Sequence, residues 1–430
     1  MSFLSSPRSV ARARHVLARR VGSPAVRSTG LVEEKIAPLR LEPSTATQSR
    51  VNLLIPTLDA RYFFGGYVTK LALAQRLAEG GTRVRIILVD FCKDDPELWR
   101  KRLRRFNLGS IVDDVEFAYA YDRSTPLDIH PADAFVATTW WTAHIAHNAV
   151  NQLGRERFVY LIQEYEPFTF PMGSFAALAA ETYSFPHYAL FSTEFLREFF
   201  RVQQIGVFSE SRKAGELSSA AFRNAITDVG PLRREILAAR RSRRLLFYGR
   251  YEKHAARNMF ELGILALLRS KSEGAFDATW EFTAIGGGGR ARSVKLGAGG
   301  KMRLVPRSDP DSYRRILLEH DVGLSLMYTP HPSLVPIEMA TAGMIVVTNT
   351  FANKTAESLT EISRNLLPVE PTIDALTAGL HEAVRRSHDL DARVENASVD
   401  WPTVWTRSFD SATMEAIGRF ITASTHPASA

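Results

Sequence analysis

The side chains of this sequence that could do chemistry are carboxylates and guanidinium groups placed where strands are expected to end. The clearest is Glu338, in the segment from Tyr328 to Gly343 that leads into the apolar run Met344 to Val347. This segment reads as a strand (Val322 to Met327), a loop stiffened by Pro330, Pro332 and Pro336, a short helix carrying Glu338, and a second strand. Pro336 suits the first helical turn, where a missing N–H costs nothing. Gly343 is the residue expected where a helix must stop and turn into a strand. A carboxylate in the first turn of such a helix, at the carboxyl end of a buried strand, lies where open α/β sheets bind ligands. Glu338 could there accept hydrogen bonds from two ribose hydroxyls.

Cations gather at comparable positions. Arg250 follows an expected strand ending at Tyr248-Gly249, Arg257 and Asn258 open the next helix, and Lys253 lies between them. Arg307 follows a further strand and is a second candidate cation for phosphates. A guanidinium fork can bond two phosphate oxygens at once. Such charge-assisted bonds are worth about 1.5–3 kcal/mol each, against roughly 0.3–1 kcal/mol for an exposed helix dipole. Side chains should therefore provide most of any diphosphate grip.

Gly65-Gly66 precedes a helix and lets a ligand approach the free N–H groups at its start, or simply makes a turn. The run Gly286 to Gly289 permits a similar approach. Glu164 and Glu166 follow another expected strand, where either could orient or deprotonate a hydroxyl; the alternatives are a helix N-terminal acid and a surface turn. Trp141 offers an aromatic platform or a packing residue. Ser308-Asp309-Pro310-Asp311 reads as a helix start, with Ser308 or Asp309 as the cap and Pro310 at the first turn, not as a metal site. His144 and His147 lack the i, i+4 spacing of a zinc helix.

The elements that must position these groups alternate in βα order. The expected strands are Val51–Ile55, Val84–Val89, Val115–Tyr119, Phe135–Thr139, Phe158–Ile162 and Tyr188–Phe191, then Leu245–Tyr248, Trp280–Ile285, Met302–Val305, Val322–Met327, Ile345–Thr348 and Leu366–Val369. Apolar β-branched runs between helical patterns predict parallel sheets covered on both faces. The expected divisions are a basic, disordered extension (1–45), a first Rossmann-like domain (46–208), a polar connection (209–243), a second Rossmann-like domain (244–400) and a final helix with tail (401–430).

With 430 residues, 45% hydrophobic and 23% charged, the chain suits two globular domains. Its single cysteine, Cys92, excludes a disulfide framework. No apolar run approaches the roughly 20 residues a membrane-spanning helix requires. A net charge of +8 favours anionic partners. No nucleic-acid-binding motif accompanies that charge, so nucleic acid is not expected. The acid-free start, with Arg8, Arg12, Arg14, Arg19, Arg20 and Arg27, reads as a solvated tail. A segment touching an anionic membrane and a transit peptide are the alternatives.

Gly65-Gly66, Gly249-Arg250, Arg257-Asn258 and Ile337-Glu338-Met339-Ala340 with Gly343 resemble the retaining GT-B glycosyltransferases of the Glu-x7-Glu group. Gln163 to Pro167, Pro171 to Ser174 and His331 to Ser333 are closer still to bacterial rhamnosyltransferases that use dTDP-L-rhamnose. The resemblance implies an α/β GT-B fold, with two Rossmann-like domains facing a cleft. It also implies transfer of a deoxyhexose to a cell-surface glycan or glycolipid acceptor, without a metal or other cofactor. The cosubstrate would be a nucleotide sugar, and the place of action the cytoplasm or the inner face of the cell membrane. Arg250, together with a base near Arg257 or Arg307, would hold the diphosphate, with Lys253 a rival to Arg257; Glu338 would hold the ribose, and His331 with Ser333 the sugar. Gly65, Gly66, Trp141 and Glu166 would meet the acceptor, with Glu164, Arg250 and Arg307 catalytic. The chain departs from the family pattern at Pro330, where the first Glu of the motif is expected. A non-catalytic sugar-binding protein and a nucleotide-sugar epimerase of the same fold are the alternatives.

Overall fold

The computed structural model describes residues 24–426 apart from 47, 60–64, 93–98, 100–102, 105–107, 109–110, 241, 289–291, 298–299 and 307. In chain order the first unit contains β1 (Leu41–Pro43), β2 (Val51–Ile55), β3 (Val84–Leu88), β4 (Glu116–Tyr119), β5 (Leu127–Ile129), β6 (Ala134–Ala137), β7 (Phe158–Ile162), β8 (His187–Phe191) and β9 (Ser219–Ala221). Strands β1 and β5 form a small parallel pair. The others form one parallel sheet in the order β4-β3-β2-β6-β7-β8-β9. The second unit contains β10 (Arg243–Tyr248), β11 (Trp280–Ile285), β12 (Arg292–Lys295), β13 (Lys301–Leu304), β14 (Val322–Leu324), β15 (Ile345–Asn349) and β16 (Leu366–Val369). Its sheet runs β12-β13-β11-β10-β14-β15-β16 and is parallel except for the β12–β13 hairpin.

The helices that matter to the site are α1 (Pro24–Ile36), α2 (Gly66–Glu79), α3 (Trp140–Gln152), α4 (Ser174–Glu181), α5 (Glu194–Val202), α6 (Phe260–Ser272), α7 (Pro310–Leu318), α8 (Val335–Thr341), α9 (Ile373–Arg386) and α10 (Ser411–Ser424). Each sheet carries an apolar cluster on either face, which is why β2, β3 and β15 are buried along their whole length. In both sheets the strand order reverses about a central pair, β2 with β6 and β10 with β14. The crevices beyond the carboxyl ends of those pairs are the expected ligand sites. The buried polar cluster of Asn52, Arg85 and Asp133 lies at the other end of the first sheet, where its internal hydrogen bonds serve structure. No described helix is long and apolar enough to cross a membrane.

Several expectations need correction. The second half of the extension is not disordered: α1 is a helix, and β1 pairs with β5. Arg123 and Gln152 donate to the carbonyls of Ala37 and Leu39, tying this segment to the first unit. Residues 1–23 lie outside the described residues. The polar connection also contributes structure, because Ser219–Ala221 pairs with β8 as the edge strand of the first sheet. The strand expected to reach Met327 leaves the ladder after Leu324, because side chains take over its backbone groups. Asn349 receives the Met327 N–H at 2.7 Å and donates to its carbonyl at 3.1 Å. The final helix α10 returns to the first unit, where Phe420 stacks on Tyr188 with centroids 5.1 Å apart.

Candidate functional site

The two sheets point the ends of β7 and β14 at each other, and Glu164 lies where they meet. Its Oε2 accepts the Thr329 hydroxyl at 3.4 Å and lies 3.5 Å from Nε of Arg257. Only 11% of the Glu164 side chain and 20% of the Arg257 side chain remain exposed. Burial pushes the Glu164 carboxyl up, while Arg257, a backbone N–H and Lys354 oppose that shift. A first-unit carboxylate thus sits directly against second-unit donors. Sequence reasoning identified Glu164 and Arg257, and the structure brings them together.

Lys354 was missed. It follows β15, is fully buried, and donates from Nζ to the Met327 carbonyl at 2.7 Å. Burial pulls its ammonium down to about 7, with Glu164 pulling the other way. A lysine five residues beyond the end of a parallel strand was the available signal. With Asn349 and Asn258, which donates to the Leu326 carbonyl at 3.2 Å, Lys354 fixes the path of residues 326–329 beneath Glu164.

His331 lies in the seam between the units. Its Nδ1 accepts the Ser333 N–H at 3.0 Å, so the proton resides on Nε2, which donates to the Ser192 carbonyl at 3.1 Å. Burial holds its pKa down at about 4, so the ring is neutral near pH 7. Both ring nitrogens are therefore committed to loop and seam. Ser333 is buried and holds a left-handed backbone with φ 65, unusual for a residue other than glycine. Asn353 adds a second seam contact by donating to the Phe195 carbonyl at 2.8 Å.

Glu338 sits in α8, whose first turn contains Pro336 as expected. Gly343 ends this segment with φ 77, and a Cβ there would lie 2.6 Å from the Leu232 side chain. The Glu338 carboxylate is already engaged. Its Oε1 accepts the N–H and hydroxyl of Thr227 at 2.8 and 2.7 Å, and its Oε2 accepts the Tyr313 hydroxyl at 2.7 Å. Burial and the adjacent charge push the Tyr313 phenol up, so it remains a donor. A carboxylate offers about four lone-pair sites. These three bonds leave room for about one more. Nothing in the sequence pointed to Thr227, which comes from the polar connection.

Arg250 stands just beyond β10 with 16% of its side chain exposed; its Nε lies 3.7 Å from Glu252, and an Nη lies 3.0 Å from Nε2 of His254. Lys253, by contrast, is exposed. Arg307 and Gly289 lie outside the described residues. Of the glycine run, Gly286 holds φ 94 and Gly287 would place a Cβ 2.6 Å from the Tyr251 ring, so close aromatic packing requires both. Gly249, Tyr251, Gly287, Gly288 and Val305 line a small recess beside this loop.

In the first unit, Gly66 opens α2, and its carbonyl accepts from Gln163 at 2.9 Å; Gly65 caps that helix with φ 33. Glu166 accepts the Trp140 N–H at 2.6 Å, so it caps α3. Burial raises its carboxyl to about 7 and lowers neighbouring Lys70 to about 8. Lys70, also missed, is buried in the second turn of α2. Trp141 is half-buried, with the Lys35 ammonium 4.3 Å above its ring; Lys35 also pairs with Asp90 at 2.7 Å. Of the two candidate caps Ser308 and Asp309, it is Asp309 that caps α7, by accepting the Ser312 N–H at 3.0 Å. His144 and His147 pack against Phe185. Among the described residues no group of three or more His, Cys, Asp or Glu is arranged to hold a metal ion.

Comparison with known proteins agrees with this architecture. Residues 50–194 match the N-terminal domain of WsaF, and residues 243–381 its C-terminal domain. The O-antigen biosynthesis protein RfbC of Myxococcus xanthus is 32% identical over 262 residues, covering 59% of this chain but only 18% of that protein. Among solved structures, Anabaena HepE in complex with UDP and glucose superposes with a TM-score of 0.58 at 12% identity, over 87% of this chain and 100% of that one. WaaG, a glycosyltransferase involved in lipopolysaccharide biosynthesis, gives 0.53 at 14% identity, over 87% and 99%. The two WsaF domains occur in order and together span about two thirds of the residues, so this chain belongs to the WsaF family and has the GT-B glycosyltransferase fold.

Proposed function

We propose that this protein is a glycosyltransferase of polysaccharide or O-antigen assembly. It would move a deoxyhexose, L-rhamnose from dTDP-L-rhamnose, onto a glycan or glycolipid-linked acceptor. The observation that carries the reading is the meeting of Glu164 with Arg257 and Thr329, a carboxylate of one unit against donors of the other at facing strand ends. The relatives support the general class: RfbC is an O-antigen biosynthesis protein, and HepE was solved with UDP and glucose.

In this reading the nucleotide sugar lies on the second unit. Arg250 and Arg257, with Arg307, meet the diphosphate, and Glu338 gives its remaining acceptor position to the ribose. The acceptor hydroxyl attacks the anomeric carbon, the bond from that carbon to the phosphate oxygen breaks, and the diphosphate leaves with the electron pair. Cations aimed at the departing oxygens stabilise the charge as it develops. Glu164 orients the hydroxyl, whose proton passes to Glu164 or to the departing phosphate oxygen; this role needs the ionised form of Glu164 that Arg257 and Lys354 favour. Retention at the anomeric carbon and independence from metal belong to the same proposal. His331 acts by shaping the loop at Ser333, and Glu166 by holding the start of α3.

The test is a donor panel. The protein is incubated with dTDP-L-rhamnose and with UDP- and GDP-sugars, with and without a rhamnosylated acceptor, and nucleotide release and product mass are followed. Acceptor-dependent release from dTDP-L-rhamnose is expected. Release only from other donors would overturn the donor assignment. Binding without turnover across the panel would overturn the catalytic reading.

A further inference from the structure

The hairpin β12–β13 forms the outer edge of the second sheet, on the side away from β16. From Phe282 to Ser308 the sequence contains six bases, Arg290, Arg292, Lys295, Lys301, Arg303 and Arg307, and no acid. Four of these lie on the hairpin itself, and Arg292, Lys295, Lys301 and Arg303 are all exposed. The cross-strand register places Lys295 directly opposite Lys301, while Val294 faces Met302. Alternation along each strand puts Ser293, Lys295, Lys301 and Arg303 on one face. None of the four cations makes an ion pair among the described residues. Lysines on an edge strand guard against pairing with other chains. That purpose needs only scattered charge of either sign. Like charges set opposite each other repel and weaken the ladder, so a field of one sign indicates an anionic partner.

We infer that this hairpin docks the protein on an anionic lipid surface. The choice of a lipid surface rests on the lipid-linked acceptor proposed above. Nucleic acid fits less well, because residues 292–304 contain no aromatic side chain on which a base could stack. Each base close to an anionic leaflet strengthens attachment about fivefold. Attachment of this kind fades once salt shortens the screening length from about 10 Å at 0.1 M to about 3 Å at 1 M.

Vesicle co-sedimentation tests this without donor or acceptor, so its outcome is separate from that of the transferase assay. The full chain should bind vesicles of phosphatidylcholine with one third phosphatidylglycerol at low salt, release them at 1 M salt, and ignore pure phosphatidylcholine. The triple variant Lys295→Ala, Lys301→Ala, Arg303→Ala should bind the anionic vesicles about 100-fold more weakly. Its nucleotide affinity should be unchanged, and its thermal midpoint should be no lower, since these side chains are exposed and the removed charges repel one another across the ladder. Unaltered vesicle binding by the variant would overturn the inference and place any attachment elsewhere in the chain. Loss in the variant of tight binding to single-stranded nucleic acid, with no vesicle binding by the wild type, would replace the lipid partner with nucleic acid.

Discussion

Replacing Lys354 by methionine isolates the energetic cost of a charge buried beneath the cleft. Lys354 is fully buried, and among the described residues its ammonium makes one hydrogen bond, to a carbonyl that Asn349 also serves. Burial depresses its pKa from 10.5 to about 7, which corresponds to a penalty of roughly 5 kcal/mol for keeping the charged form folded. The sign follows from linkage. Below pH 7 both folded and unfolded chains hold the proton, and the folded state bears the whole penalty. Between pH 7 and 10.5 the folded chain has released the proton while the unfolded chain keeps it, so stability rises with pH. Methionine has no such proton and leaves the Met327 carbonyl bonded to Asn349. The variant should therefore be the more stable protein at pH 6, and its advantage should shrink by about 2–3 kcal/mol by pH 9. Urea unfolding of both proteins at the two pH values, followed by a probe in the second unit, measures this. An advantage that does not change with pH, or that grows, would refute the reasoning. In turnover the variant should be impaired, because Glu164 loses a positive neighbour and its carboxyl moves further up.

Three further outcomes are expected. Glu164→Gln keeps the shape but not the charge and should lower turnover about 10²–10⁴-fold; steady-state kinetics that match the wild type would remove Glu164 from the reaction. Arg257→Ala breaks a mostly buried ion pair, but the Glu164 carboxyl left behind keeps Thr329 and Lys354 as neighbours, so the protein should lose stability yet stay folded. The substitution should also weaken calorimetric binding of dTDP or UDP about 10- to 100-fold, as expected for one lost charge-assisted bond of about 1.5–3 kcal/mol. His331, pushed down to about 4 from 6.5, makes the seam acid-sensitive: the unfolded ring gains its proton first, so stability falls as pH drops through that window. Going from pH 6.5 to 5 should cost the wild type up to about 2 kcal/mol through this group. That share should be absent from His331→Asn in parallel thermal melts.

The sequence by itself determined the alternation of strands and helices, since burial on both faces of a parallel sheet requires unbroken apolar runs that are visible locally. It also showed, to within a few residues, where the strands end, and therefore that Glu164, Arg250, Arg257 and Glu338 stand beyond their carboxyl ends. Pro336 and Gly343 were legible for the same reason, because each answers to the backbone of its own turn. Which polar groups meet was settled only in three dimensions. Glu164 and Thr329 are 165 positions apart, and Thr227 and Glu338 are 111 apart; sheet order and the approach of the two units bring them together. Local patterning cannot show that His331 spends both ring nitrogens on the seam, that Glu166 caps a helix, or that Lys354 lies buried beneath Glu164. A polar side chain in a sequence shows what it can donate or accept, whereas its partner is fixed by which strands are neighbours and by the need to satisfy every buried donor.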